Sequence, residues 1–391
     1  MILRKAQRSH SIDTHTEFFA GVGGVSLGLD SFETIWANDI DPLKCEINKL
    51  NHPNTDVLCE DISKIKPSDF PNSTISSATF PCTNTSCAGG RQGLLGIKSG
   101  VVYRWLNLLK EKRGTKSHPL SMLENPTGLI ARNQGTDLRS LVLELNSLGY
   151  AVNISVVDAK HFVPQSRPRI FITGVDKKHL SPKAYRLTAD NIPSDKELIT
   201  NPLRRWMLSN LDLDMFALET TQALPTRTLQ LEDVINFHDD GYWAEQSFSD
   251  ELVANLTGAQ LARFKQLVNS PVTSVSTVAR RGRKNSAGIG YNATEISVSG
   301  LAPAQRPYKG GSSRCWVLIA GKGDYRFKCV SPRESARLMG FDDTFELPGN
   351  DKAAYGCTGD AVCPQAVNWV EQHIIREAYA KEEVPQLALA I

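Results

Sequence analysis

Residues 16–30 read TEFFAGVGGVSLGLD, an apolar run followed by a glycine turn. The apolar residues predict a strand that ends near Ala20, and the residues after Gly24 predict a helix. Glycines at 21, 23 and 24 let the backbone turn tightly and approach a ligand, and the N-terminus of the helix favours an anionic group. Alone, this turn is a weak signal, because many α/β folds contain one without a ligand.

Strands and helices continue to alternate after this turn. Short strands are predicted near residues 34–37, 57–58, 75–80, 120–123, 151–158 and 169–174, with helices near 42–50, 100–112 and 137–148. This order predicts an α/β fold with a Rossmann-like, mostly parallel sheet. Residues 176–300 have weak periodicity and predict a second, smaller domain. A helical pattern returns from about residue 325, and a final helix is predicted over about 362–380.

The composition is that of a soluble globular enzyme. Hydrophobic residues make up 41% and charged residues 22% of the chain. With 44 basic and 42 acidic residues, net charge does not indicate nucleic-acid binding, which would need a local basic face. The eight cysteines form no CxxC pair and have no histidines at metal-ligand spacing, so we expect reduced thiols and no metal site. The chain has no signal peptide at its start and no apolar run of about 20 residues, so we expect a cytoplasmic protein without membrane contact.

Two carboxylates follow the second and third predicted strands. Asp39 lies some twenty residues after the glycines, where an acid commonly accepts hydrogen bonds from ribose hydroxyls. Asp61 follows the third predicted strand, where a carboxylate can accept a hydrogen bond from an adenine amino group. A helix cap or a solvated loop explains either residue alone equally well. Together with the glycine turn they fit an adenosine ligand, without separating a dinucleotide from S-adenosylmethionine.

Three further motifs carry reactive side chains. Cys82 follows a predicted strand on a glycine-rich loop, beside the ligand crevice of a parallel sheet. Glu124 follows another strand and would face the same crevice, where a buried glutamate can stay protonated and donate a proton. Arg167 and Arg169 lie two residues apart where the chain enters the next predicted strand. From there one guanidinium can point at a base or a carboxylate. A packed thiol, a surface glutamate and solvated arginines are the alternatives.

In this order the segments resemble the DNA (cytosine-5)-methyltransferase family. The matching segments are Phe18-x-x-Gly21-x-Gly23-Gly24, Pro81-Cys82, Glu124-Asn125, Gln165-x-Arg167-x-Arg169, residues 331–341, and Gly359-Asp360-Ala361-Val362-x-Pro364. Arg306-Pro307 with residues 310–314 stands where the family has the motif that orders its recognition domain. The resemblance covers residues 14 to 376 except 176–300. Thr83, Pro126 and Asp360 depart from the family's usual residues and put in doubt how the loop closes and how the methionine end of the cofactor is held.

The resemblance implies S-adenosylmethionine as cofactor and a covalent mechanism. Cys82 would add to C6 of cytosine while Glu124 protonates N3, so that C5 becomes able to attack the methyl group. Arg169 would hold the carbonyl oxygen of the base and orient Glu124, with Arg167 in the same network. The base must first leave the helical stack. The implied cofactor-binding residues are Phe18, Ala20, Gly21, Gly23, Gly24, Asp39, Ile40, Asp61, Ile62, Pro81, Asp360 and Ala361.

The expected substrate is a specific sequence in double-stranded DNA. Residues 1–175 and 326–391 would form a discontinuous catalytic domain, and residues 176–325 a target-recognition domain. Candidate DNA contacts are Arg280, Arg281, Arg283, Lys284, Arg306 and Arg314, although a solvated loop explains the cluster at 280–284 equally well. The plan resembles stand-alone bacterial and phage enzymes, so we expect a monomer that serves restriction-modification, with cognate restriction or defence proteins as partners.

Three other functions fit parts of this sequence. Methylation of tRNA is the alternative within the class, and the long segment before the final motifs favours DNA over it. A catalytically silent nucleic-acid-binding homologue is disfavoured by the intact Cys82 and Glu124. A nicotinamide-dependent oxidoreductase would leave Pro81-Cys82 and Glu124-Asn125 unexplained.

Overall fold

The computed structural model describes residues 13–81, 100–112, 117–220, 222–238, 241–284, 288, 290–307 and 314–380. The chain forms two compact units. The first contains residues 1–156, 169–222 and 367–391, and the second contains residues 157–168 and 223–366.

A seven-stranded sheet forms the centre of the first unit, in the order β3-β2-β1-β4-β5-β8-β6. Its strands are β1 (Asp13–Phe18), β2 (Phe32–Asp39), β3 (Asp56–Cys59), β4 (Ile75–Ala78), β5 (Leu120–Pro126), β6 (Tyr150–Asp158) and β8 (Pro168–Asp176). Strands β1 to β5 pair in parallel, and β8 pairs with β5 in the antiparallel direction. The predicted Rossmann-like, mostly parallel α/β fold is confirmed.

Helices α1 (Gly24–Gly28), α2 (Pro42–Asn51), α3 (Val101–Lys112) and α4 (Thr136–Ser147) connect strands of this sheet, as is typical of parallel sheets. Helix α5 (Asn201–Leu208) follows the last strand of the sheet, and 3-10 turns occur at Ile62–Lys64, Pro67–Asp69, Thr127–Ile130, Arg132–Gly135, Ala159–His161 and Lys177–His179. Helix α2 shows how the sequence sets a boundary. Asp41 accepts hydrogen bonds from the N–H groups of Leu43 and Lys44, and Pro42 occupies the first turn.

The chain ends in helical segments: α11 (Pro364–Val370), a π-helical turn (Glu371–Ile375) and α12 (Arg376–Ala378). Within the first unit, the N–H of Ser31 donates to Glu371 over 3.1 Å, and the amide of Asn368 donates to the Gly28 carbonyl over 3.2 Å. The last part of the chain therefore closes against the turn between α1 and β2. None of the helices in the described ranges is long and apolar enough to cross a membrane.

A four-stranded antiparallel sheet forms the centre of the second unit, in the order β12-β11-β14-β15. The second unit also contains the short strands β7 (Gln165–Ser166) and β13 (Ala302–Pro303), which pair in parallel. The sheet strands are β11 (Ser274–Lys284), β12 (Gly290–Ser297), β14 (Trp316–Gly321) and β15 (Asp324–Cys329), and the helices are α6 (Leu231–Val234), α7 (Gln246–Ala254), α8 (Ala259–Val268), α9 (Pro332–Met339) and α10 (Asp351–Asp360). Two apolar clusters, one around Val317 and one around Leu318, lie along β14. Neighbouring residues of one strand point to opposite faces, so β14 contributes to both clusters.

The boundaries of the two units differ from the expected domains. Residues 176–222 belong to the first unit. They contain the antiparallel pair β9 (Ala184–Arg186) and β10 (Phe216–Leu218). Just before β10, the carbonyl of Asp214 accepts a hydrogen bond from the N–H of Val152 in β6 over 3.0 Å. Residues 326–366 belong to the second unit. The helical pattern expected from 325 is wrong at its start, because residues 324–329 form β15.

A buried ion pair joins β15 to α9 in the second unit. The Lys328 ammonium donates to Glu334 Oε1 over 2.6 Å, and both side chains are almost fully buried. The same oxygen accepts from the N–H of Asn236 over 2.6 Å, and the other carboxylate oxygen accepts from the N–H of Ser331 over 2.7 Å. The Ser331 hydroxyl in turn accepts from the N–H of Glu334, which completes a capping box at the start of α9. One carboxylate thus anchors a helix, a strand and a loop.

We predict that Glu334→Ala destabilises the protein by about 3–5 kcal/mol, because the change leaves the Lys328 charge buried without its carboxylate. Urea unfolding followed by circular dichroism measures the loss. Glu245→Ala, an exposed glutamate of the same unit, should change stability by less than about 0.5 kcal/mol. Equal effects of the two changes would contradict the role given to Glu334.

Candidate active site

The glycine turn after β1 is fixed by the carboxylate of Asp39. Asp39 Oδ2 accepts from the N–H of Gly21 over 2.8 Å, and Oδ1 accepts from the N–H of Asp41 over 2.9 Å. Asp39 thereby links the turn to the start of α2. Gly21 and Gly23 have φ values of 55° and 85°, in the left-handed region that glycine adopts most readily.

The two glycines face different surroundings. A Cβ on Gly23 would lie 2.2 Å from Nε2 of His52, whereas a Cβ on Gly21 would meet no atom within 4 Å. Gly23 therefore permits close packing of the turn against the residue after α2, and Gly21 leaves open the space beside the turn.

Phe18 does not face that open space. Its side chain is fully buried, with ring centroids 4.9 Å from Trp36 and 5.1 Å from Phe70. Phe18, predicted to bind the cofactor, thus has its ring in the core of the first unit, since the last four residues of β1 are all buried. The next residue, Phe19, is partly buried with a φ of 55°, and it replaces Phe18 as the aromatic candidate. An aromatic residue at the point where a strand meets a glycine turn was the signal in the sequence.

The other predicted cofactor residues of the first unit lie at the carboxyl ends of β2 and β3. Asp39 pairs with Cys59 in the sheet register, which places Asp39 and Asp61 at the same edge. Asp61 accepts from the N–H of Ser63 over 2.8 Å, and this bond lowers the pKa of the Asp61 carboxyl. Ile40 is 64% exposed, whereas Ile62 is 4% exposed. Ile40 is thus an apolar surface beside two carboxylate groups.

Glu17 is a carboxyl group that the sequence did not single out. It is fully buried on β1 and accepts from the N–H of Ser26 over 3.2 Å, and from the Ser26 hydroxyl as well. Burial raises the pKa of Glu17 to about 7, against the lowering effect of the Ser26 hydrogen bonds. Glu17 therefore holds α1 to β1 immediately before the glycine turn.

Glu124 and Arg169 meet across the antiparallel pair β5 and β8. Arg169 Nε donates to Glu124 Oε1 over 2.9 Å, and the side chains are 17% and 9% exposed. An ion pair with this little access to water fixes the direction of both groups. Two of the predicted catalytic residues are therefore brought together.

The neighbouring Asn125 ties this pair to the end of β4. Its amide donates to the Phe80 carbonyl over 3.0 Å, and the parallel register aligns Ala78 with Leu123. The chain that leaves β4 toward Pro81 therefore starts beside Glu124. Pro81 is exposed, and Cys82 lies outside the described residues.

Arg167, predicted to lie in the same network as Arg169, belongs to the second unit, where it binds backbone carbonyls. Its guanidinium is 4% exposed and donates to the carbonyls of Gln305, Gly359 and Ala361 over 3.0, 3.0 and 2.7 Å. Arg167 precedes β8, so the two-residue alternation of a strand does not apply to it. Its backbone N–H instead donates to Asp158 over 2.7 Å.

The last motif lies at the end of α10 in the second unit. Asp360 is exposed, and Ala361 is partly buried. A Cβ on Gly359 would lie 2.4 Å from backbone atoms of Arg306 and Pro307. Glycine at this position therefore lets the backbone of residues 306–307 pass close to the end of α10. Arg306 and Arg314 are both exposed.

Gln165 is a further residue whose role was not predicted. Its side chain is fully buried, donates to the Leu338 carbonyl over 2.7 Å and accepts from the N–H of Gln305 over 2.8 Å. Gln165 and Arg167 thus connect residues 157–168 to the rest of the second unit. No group of three or more histidine, cysteine or acidic side chains with the geometry of a metal site occurs in the described part of the chain.

A family model for C-5 cytosine-specific DNA methylases matches residues 14–376. The chain belongs to this family. It is 27% identical over 377 residues to the type II methyltransferase M1.ScrFI of Lactococcus lactis subsp. cremoris, which covers 95% of this chain and 79% of that one. It is 26% identical to M.NlaX of Neisseria lactamica, with 92% and 95% covered. The crystal structure of S. pombe Dnmt2 methyltransferase has the same fold, with a TM-score of 0.54 and 15% identity over 93% of this chain and 98% of that one.

As a C-5 cytosine-specific DNA methylase, the chain methylates cytosine in DNA with S-adenosylmethionine as the methyl donor. The first unit fits this cofactor. The space that a Cβ on Gly21 would enter is open, and the Asp39 and Asp61 carboxylates stand at the same sheet edge beside exposed Ile40. Hydroxyl and amino groups of an adenosine would find carboxylate acceptors there, and an apolar face of the ligand would find Ile40.

We predict that Gly23→Ala weakens S-adenosylmethionine binding about tenfold or more. A left-handed alanine costs about 1–2 kcal/mol, and the clash with His52 adds to this cost, so the turn shifts. Isothermal titration calorimetry gives the Kd. Gly356→Ala, a glycine inside α10 with open space around it, should bind normally. An unchanged Kd in Gly23→Ala would contradict this reading of the turn.

We predict that Glu17→Gln removes a pH-dependent loss of stability. The pKa of Glu17 rises from 4.5 to about 7 on folding, so its contribution is fully present below pH 4.5 and is lost as the pH rises through 7. The shift corresponds to about 3 kcal/mol. Relative to wild type, Glu17→Gln should gain most of that stability between pH 5 and pH 8, measured by urea unfolding at each pH. Parallel stability profiles would show that the burial of Glu17 has no such effect.

Proposed function

We propose that the methylase acts through a covalent bond between Cys82 and a cytosine that has left the stack of double-stranded DNA. The proposal depends on one observation above all: Asn125 binds the carbonyl of Phe80, two residues before Cys82, next to the strand end that carries Glu124. We therefore expect Cys82 and Glu124 to act on the same pyrimidine ring.

In this mechanism Cys82 adds as a thiolate to C6 of the base. Glu124 donates a proton to N3 as the electrons of the ring move toward that nitrogen. Arg169 positions Glu124 through the hydrogen bond from its Nε to Glu124 Oε1, which the protonated acid also accepts, and it would bind the carbonyl oxygen of the base. C5 thereby becomes nucleophilic. Once C5 carries the methyl group, the N3 proton returns to Glu124. Loss of the C5 proton to solvent and expulsion of the Cys82 thiolate then restore the aromatic ring.

S-adenosylmethionine, when bound, supplies an electrophilic methyl group on its sulfonium. The residues assigned to holding it are the glycine turn with Phe19, the Asp39 and Asp61 carboxylates and Ile40. Pro81, together with Asp360 and Ala361 of the second unit, remains a predicted contact. Cytosine is read within a specific sequence, for which residues of the second unit are the candidates.

The biological role is proposed from the relatives. Those named above from Lactococcus and Neisseria are described as type II methyltransferases, which supports a role in restriction-modification for this chain too. We propose a cytoplasmic monomer whose functional partners are a cognate restriction enzyme or other defence proteins. Bisulfite sequencing of genomic DNA from cells that express the chain would reveal the methylated sequence and test this role.

We predict that Cys82→Ala abolishes covalent trapping on DNA that contains 5-fluorocytosine. The fluorine at C5 cannot leave as a proton does, so a working enzyme stays bonded to the base through its cysteine. Denaturing electrophoresis with labelled duplex DNA detects the adduct. Cys59→Ser, which changes an exposed thiol, should still be trapped.

Transfer of tritiated methyl groups to duplex DNA provides the second measurement, with tRNA as the competing acceptor. Cys82→Ala should lower the rate by several orders of magnitude. A Cys82→Ala protein that still formed the adduct, or that methylated DNA at the wild-type rate, would overturn the mechanism.

A further inference from the structure

Part of the second unit is a two-stranded ribbon that extends beyond its sheet. Strand β11 pairs with β14 only from Ser274 to Val278, but its pairing with β12 continues to Lys284, opposite Gly290. Residues 279–284 and 290–295 therefore form a ribbon that no third strand of the described residues extends. Its outer residues, 281–284 and 290–292, are all exposed.

The two faces of the ribbon carry different side chains. Residues directly opposite each other in an antiparallel pair lie on one face, and the faces alternate along the strand. The register puts Arg281, Arg283, Tyr291 and Glu295 on one face, which we call the arginine face. Lys284 lies on the other face, together with residues 282, 290 and 292.

Glu295 holds both arginines of the arginine face. Its Oε2 lies 3.7 Å from Arg281 Nε, and its Oε1 accepts from Arg283 Nη2. The side chains of Arg281 and Arg283 remain 63% and 54% exposed. A carboxylate among these cations repels phosphate oxygens, yet it limits the directions in which the guanidiniums point. Less conformational entropy is then lost when they bind a target of fixed geometry.

The base of the ribbon is rigid. Arg280 donates to Glu251 over 2.6 Å and lies over the Phe248 ring, 5.2 Å from its centroid, so α7 supports the ribbon where it leaves the sheet. From there, residues 279–284 reach about 20 Å. This exceeds the depth of the DNA major groove, about 8.5 Å, and the groove is wide enough to admit a two-stranded ribbon.

We infer that the arginine face reads guanine bases in the major groove of the DNA substrate. Arginine donates two hydrogen bonds to O6 and N7 of guanine, the commonest base-specific contact. Glu295 acts as a positioning residue that orients Arg281 and Arg283, and Lys284 on the other face contacts phosphate. The inference rests on the proposed function, because it assigns the sequence specificity of the same enzyme.

Glu295→Gln is the decisive variant, because a reading role and a phosphate role predict different results. The amide keeps the size of the side chain but removes the charge that orients the arginines. If they read bases, the preference for the wild-type target over other sequences falls about tenfold or more, since a good bidentate pair discriminates by about 1–3 kcal/mol. Binding of random duplex DNA stays equal or becomes tighter, because a negative charge is lost.

Two measurements are needed. Bisulfite sequencing of a randomised duplex library that the enzyme has methylated in vitro gives the target sequence. Duplex binding at several salt concentrations gives the salt slope, which is the change in log affinity with log salt concentration. Arg281→Ala and Arg283→Ala should each relax one position of the target. The matched control Lys284→Ala should leave the target unchanged and reduce the slope by about one. Thermal unfolding checks that each variant is folded, and Arg281→Gln replaces Arg281→Ala if the latter is not.

The inference is overturned if Arg281→Ala and Arg283→Ala keep the wild-type target and only lower the salt slope, because both would then be phosphate contacts. Glu295→Gln with tighter binding to all DNA and an unchanged target has the same meaning. A wild-type protein that transfers no methyl group to any duplex would instead overturn the proposed function. The two failures are therefore distinguishable.

Discussion

The parallel pairing of β4 with β5 determines the geometry of the candidate active site. Parallel strands bring their carboxyl ends to one edge of a sheet, and the alignment of Ala78 with Leu123 sets which residues emerge side by side. A shift of one residue would turn Glu124 to the opposite face of the sheet. Just beyond the last paired residues, the hydrogen bond from the Asn125 amide to the Phe80 carbonyl keeps the two chains together. Catalysis thus depends on a backbone alignment stabilised by buried strands.

Charged groups in both units are stabilised by close partners. Arg169 has Glu124, Lys328 has Glu334, and Arg167 has three backbone carbonyls. Burying a charge is costly without such partners. Glu17 is the contrasting case, since burial favours its protonated form. The same physical rule therefore yields fixed ions at some positions and a neutral acid at another.

Much of the fold and part of the site could be predicted from the sequence. The alternation of strands and helices predicted the parallel sheet, because each element carries its own hydrophobic period. The sequence also placed Glu124 and Arg169 at strand ends, where the structure brings them together. The burial of the Phe18 and Arg167 side chains could not be predicted, for a local reason. Spacing in a motif does not reveal whether a strand has already ended, and so does not fix which way a side chain points.

The second unit was harder to predict, because its strands pair over long sequence distances. The strand order β12-β11-β14-β15 of the four-stranded sheet cannot be predicted from local propensity. From the sequence, a solvated loop explained residues 280–284 as well as a DNA contact did. Glu295 also had no apparent role before the register of β11 and β12 was known. The pairing of a carboxylate with two arginines ten or more residues away is a property of that register.

The make-up of the second unit has a consequence for building hybrid enzymes. Its compact set of residues includes the short segment 157–168 as well as 223–366, and Arg167 and Gln165 fasten that segment by their buried side chains. A graft that transplanted only residues 176–325 would cut β15 after its second residue and separate Lys328 from its former neighbours on β14. Junctions near 222 and 366, with segment 157–168 exchanged from the same donor, would instead keep the residues of the second unit together.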